Sequence, residues 1–109
     1  MAFSATGCYR NKVGKILAKL RVDYGESQGK QALRLHFNQS YLSMVSTDRR
    51  NFTIDLYKSI MEHYADRAQV YKTELQTILI KEDVKERFMK EFPDATVEQI
   101  FYVMYGVKD

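Results

Sequence analysis

Apolar side chains recur along this chain at helical rather than strand spacing. Tyr9, Val13, Ile16, Leu17, Leu20 and Tyr24 fall on one arc of a helical wheel, about 100° wide. They predict an amphipathic helix over residues 9–23, closed by a loop around Gly25 and Gly29. Across residues 31–45, Leu33, Phe37, Tyr41, Met44 and Val45 keep helical spacing. Leu33, Leu35 and Phe37 also alternate as a strand would. The helical reading is adopted, and Leu35 and Leu42 on its other side then place that helix near the centre of the domain.

Ser46, Thr47 and Asp48 offer N-caps for the longest periodic run. Ile54, Met61, Ala68 and Leu75 recur every seven residues, and Tyr57, Tyr64, Tyr71 and Ile78 follow three positions behind. That is an a/d seam within about residues 48–80, either one helix of about thirty residues or a pair broken near residues 65–69. A buried tyrosine needs a partner for its hydroxyl, so the rings are expected in the core and the hydroxyls at its edge. Val84, Phe88, Met89 and Phe92 form the apolar side of a further helix, which Pro93 stops. Thr96-Val97-Glu98-Gln99 is a capping box opening a last helix, with Val97, Ile100, Phe101, Met104 and Tyr105 as its stripe and Gly106 as its end. The expected fold class is therefore all-α, a compact bundle of four to six helices in a single helical domain spanning residues 1–109.

Composition is consistent with that picture. Of 109 residues 45% are hydrophobic, with one proline, which suits a packed core and not a disordered chain. The lone cysteine, Cys8, cannot pair internally, and the first residues lack the apolar run of a signal peptide. No stretch reaches the ~18 apolar residues of a membrane span. A cytoplasmic protein with no membrane contact is expected.

Charge changes the picture more. The first fifty residues hold nine Lys/Arg against three Asp/Glu, the remainder eight against eleven. No acid precedes Asp23, and Arg10, Lys12, Lys15, Lys19 and Arg21 flank the apolar stripe of the first helix. Lys12, Lys15 and Lys19 make a ridge on one flank, able to meet successive phosphates or an acidic protein surface. Basic side chains also border buried stripes for purely structural reasons, laying their stems on the core.

Catalytic chemistry finds no support. Gly14-Lys15 lacks the glycine and hydroxyl of a phosphate loop, since Tyr9 and Ile16 stand in those places. His36 and His63 are not spaced as a metal pair, and no motif places either as a base for Cys8. No metal and no cofactor is expected. The last two helices look like a helix-turn-helix, yet residues 96–106 carry no Lys or Arg with which to read DNA. The reading is a small non-enzymatic protein-interaction module, an accessory subunit, adaptor or inhibitor. It acts on a protein partner by surface binding, with Tyr57, Met61, Tyr64 and Tyr71 as either core seam or homo-oligomer interface. The alternative is a nucleic-acid-binding protein using Arg10, Lys12, Lys15, Lys19 and Arg21.

Overall fold

A computed structural model describes residues 11–106, and all regular structure among them is helical. Seven helices follow one another: α1 (Lys12–Tyr24), α2 (Gln28–Leu35), α3 (Gln39–Ser46), α4 (Ile54–Gln69), α5 (Lys72–Leu79), α6 (Glu82–Glu91) and α7 (Val97–Tyr105). The chain divides into two compact units at the Tyr71–Lys72 junction.

In the first unit, short polar residues set the helix starts. Asn11, Ser27, Asn38 and Thr53 each accept a backbone N–H of the following first turn through the side chain. Asn11 does more, since its Nδ2 donates to the Val45 carbonyl at 2.6 Å and to Asp48 at 2.7 Å, tying the start of α1 to the end of α3. Gly25 takes a left-handed conformation (φ 61°), which lets the Glu26 N–H return to the Arg21 carbonyl at 2.9 Å. The loop there is short, because Gly29 lies inside α2.

The helix expected across residues 31–45 is two helices. His36 adopts the left-handed conformation (φ 63°) at the end of α2, and Asn38 then caps α3. Nothing in the apolar spacing announces this break, since histidine is an unusual residue for a position that favours glycine. Residues 46–48 were expected as caps of the next helix; instead they close α3 and turn, and Thr53 takes the capping role.

α1 packs on α3 and α4, and α2 packs on the same two helices. Gly14 permits the first contact: a Cβ at this position would stand 3.0 Å from Ser46 Cβ and 3.1 Å from the Ser46 carbonyl oxygen. Val13, Ile16, Leu17 and Leu20 of α1, Leu35 of α2, Leu42 and Val45 of α3, and Leu56, Tyr57, Ile60 and Tyr64 of α4 are buried. Each large one contributes about 1.5–3 kcal/mol. Gln31 is buried among them with both ends of its amide satisfied: Nε2 donates to the Leu17 carbonyl at 2.9 Å, and Oε1 accepts from Arg21 at 2.8 Å.

Of the two arrangements open to the heptad run, the broken pair is the one adopted. Ala65 has φ 45° and ψ −117°, a kink inside α4, and α4 ends at Gln69 before α5 begins. The buried stripe of α4 is Leu56, Tyr57, Ile60, Tyr64 and Ala68, while Ile54 and Met61 lie only at its border. It is thus rotated from the a/d seam toward the tyrosine row.

In the second unit α5 packs on α7. Leu75, Leu79, Ile80, Ile100 and Phe101 are buried, and the Tyr105 hydroxyl donates to the Leu79 carbonyl at 2.8 Å. α6 is different, because none of its residues is buried.

Candidate interaction surface

The cations that the sequence grouped together separate in the structure. Lys12, Lys15 and Lys19 are exposed along α1, at spacings of three and four residues that keep them on one flank. Lys19 Nζ sits 5.9 Å from the centre of the Tyr71 ring, within cation–π range. Arg21 is half-buried and bound to the Gln31 amide, so it braces the α1–α2 pair instead of extending the ridge. Arg10 lies outside the described residues.

The tyrosine seam is interior at two of its four positions. Tyr57 and Tyr64 are fully buried, whereas Met61 and Tyr71 are partly exposed. Tyr64 has its ring in the core and its hydroxyl at the edge, donating to Glu26 Oε1 at 2.8 Å. Glu26 Oε2 receives Arg34 Nε at 2.6 Å, and the Glu26 side chain is only 8% exposed. The Arg34 guanidinium lies over the Tyr24 ring at 4.7 Å and the Tyr64 ring at 5.3 Å, and those two rings meet edge-on at 4.9 Å. Burial, against the lowering effect of Gln31 and together with donation to the Glu26 carboxylate, pushes the Tyr64 phenol well above the ordinary tyrosine range. The hydrogen bond to Glu26 raises Arg34 against the opposing effect of burial. Every member of this cluster is engaged by another, which marks it as a brace between the α1–α2 loop and α4.

The fold also brings together His36 and His63, distant in sequence, with ring centres 5.0 Å apart. His63 Nδ1 donates to the Ser59 carbonyl at 2.9 Å, and the Ser59 hydroxyl donates to the Leu35 carbonyl at 2.6 Å. Among the described residues no group of three or more His, Cys, Asp or Glu could hold a metal ion.

The surface that stands apart is at the corner of α6 and α7. Glu82 and Asp83 favour the start of α6 through its dipole, and Pro93 prevents its continuation. The turn then feeds Thr96, whose hydroxyl accepts from Gln99 N at 3.1 Å while Gln99 Oε1 accepts from Thr96 N at 2.9 Å, completing the capping box. This start fixes the rotation of α7. Ile100 and Phe101 go inward, and Glu98, Gln99, Tyr102 and Val103 are left outside.

Because α7 is apolar on both sides and no residue of α6 is fully buried, apolar surface remains open. Phe92 is 55% exposed, Tyr102 49% and Val103 64%. They line an open groove of about 790 Å³ with Phe88, Pro93 and Ala95, and the Phe88 and Phe92 rings stand 5.2 Å apart. The charged side chains lining it are Glu91, Asp94 and Glu98, all carboxylates. Of the expected stripe of Val84, Phe88, Met89 and Phe92, none is fully buried: Val84 and Phe88 are half-buried, Met89 and Phe92 exposed. In the sequence, the only signal of this was that α7 has more apolar positions than one buried face needs.

No protein-family model, no curated protein and no solved structure matches this chain.

Proposed function

We propose that this chain is a small, non-enzymatic helical protein-interaction module, and that its binding surface is the groove of α6 and α7. One observation carries the reading. Tyr57, Tyr64 and Phe101 are fully buried, yet Phe92, Tyr102 and Val103 lie side by side about half exposed or more around one concavity. Soluble proteins rarely leave such contiguous apolar surface without a use, and exposed aromatics at the centre of a groove are what interfaces bury. Tyr57 and Tyr64 of the tyrosine seam are spent inside the chain and offer a partner no surface. The single cysteine, Cys8, supports a cytoplasmic setting.

A photocrosslinking residue at Val103, compared with one at the 78% exposed Leu33, tests this in cells. A discrete protein adduct from position 103 only, lost when Tyr102 is changed to Ser, is expected. No adduct, or the same adducts from both positions, would refute it.

The exposed ridge of Lys12, Lys15 and Lys19 favours a second reading, nucleic-acid binding. Three phosphate contacts give a logarithmic salt slope near −2.7, so binding should weaken roughly 40-fold between ~50 and ~200 mM salt. Changing all three lysines to Glu should abolish binding with little loss of stability. Binding that is absent at low salt, or indifferent to salt, removes this reading.

A further inference from the structure

We propose that the α6–α7 groove takes a basic amphipathic helix of a partner protein, its apolar side chains in the groove and its Lys and Arg along the edges. The inference rests on the interaction-module reading and adds the chemistry of the partner. Phe92, Tyr102 and Val103 offer apolar area that only apolar side chains fill without stranding polar groups. The charged side chains that line the groove are all carboxylates. Glu98 is shared with Lys72, whose Nζ is 3.5 Å away, but Glu91 and Asp94 make no ion pair among the described residues. Glu91 is also the last residue of α6, where the terminal carbonyls add partial negative charge. Cations on the visitor would be drawn by Glu91 and Asp94, and anions repelled.

The visitor's conformation follows from what the surface lacks. The described residues contain no strand edge that could hydrogen-bond an extended segment, so a segment that satisfies its own backbone suits the groove best. A helix does so. With apolar residues at i, i+3 or i+4, and i+7, it presents one face to the groove. A second copy of this chain docking groove to groove is disfavoured, because two-fold symmetry would set Glu91 and Asp94 against the same carboxylates.

The test uses the full chain and three labelled synthetic peptides of about four turns: an amphipathic helix with Leu anchors and flanking Lys, its twin with Glu for every Lys, and a scramble of the first. Fluorescence anisotropy should show the basic peptide binding and the other two not. Glu91→Lys with Asp94→Lys should weaken the basic peptide on the order of tenfold. The same variant should begin to bind the acidic twin, an exchange that an unfolded protein could not produce. Val103→Ser should weaken both pairings. Equal binding of the basic peptide and its scramble, no effect of charge reversal, or competition by a self-associated form of the chain in sedimentation would each overturn the inference. A specific adduct at position 103 together with a failed charge exchange would leave the interaction module standing and remove this inference alone; absence of the adduct removes the module reading itself.

Discussion

Replacing Tyr64 by Phe deletes one hydroxyl and leaves the ring in place. The hydroxyl donates to Glu26 at 2.8 Å, and a hydrogen bond to a charged group contributes about 1.5–3 kcal/mol. Glu26 keeps Arg34 at 2.6 Å, so its charge is not orphaned, and the loss stays below the ~3–5 kcal/mol of a broken buried pair. The ring retains its edge-on contact with Tyr24, so no cavity adds to the cost. The expected loss is about 2 kcal/mol, or a fall in Tm of roughly 8–16 °C, measured by urea and thermal unfolding. Changing Glu26 to Gln in the same background should recover a coupling energy close to that value.

A pH series sharpens the test. A phenol held protonated by burial contributes stability that is complete below about pH 10 and declines as pH rises through and beyond that value, because only the unfolded chain ionises readily there. The Phe variant lacks this group. The stability gap between the two proteins should stay constant from about pH 7 to pH 10 and change above it, with the wild type losing more. A variant within ~0.5 kcal/mol of wild type at neutral pH, or a gap that ignores alkaline pH, would refute the brace.

Two backbone substitutions run against ordinary helix propensity. Gly14→Ala should destabilise by about 1 kcal/mol, the clash with Ser46 outweighing the ~1 kcal/mol that alanine gains within a helix; a more stable variant in chemical denaturation would show that α1 and α3 are not in that contact. Ala65→Gly should stabilise by about 1 kcal/mol, because ~1–3 kcal/mol of strain at φ 45° exceeds glycine's entropic cost. A loss of about 1 kcal/mol, as in a regular helix, would show that the kink is absent in solution.

The helices that the sequence disclosed are those whose ends carry their own chemistry. Pro93, the Thr96–Gln99 box and Gly106 placed α6 and α7 nearly to the residue, and Gly25 ended α1. The break at His36, made by tertiary demand, was invisible, because His36 holds left-handed backbone that its residue type does not advertise; the kink at Ala65 falls at one of the two places the heptad run left open. The a/d pattern found α4 but misjudged its rotation, since Leu56 and Ile60 pack inward from outside the heptad. As for sites, charge density singled out the first helix, and periodicity singled out Tyr57 and Tyr64. Arg21, Tyr57 and Tyr64 proved to hold the fold together. An apolar stripe reads as core until its covering is counted, and the stripe of α6 is only partly covered.

The groove is tested most directly by following backbone amide resonances of the full chain while the basic amphipathic peptide is added. Shifts confined to residues 88–103, saturating with the binding curve, and none along Lys12, Lys15 and Lys19, are expected. Shifts centred on that lysine ridge, or spread evenly over both units, would contradict the groove as the binding surface.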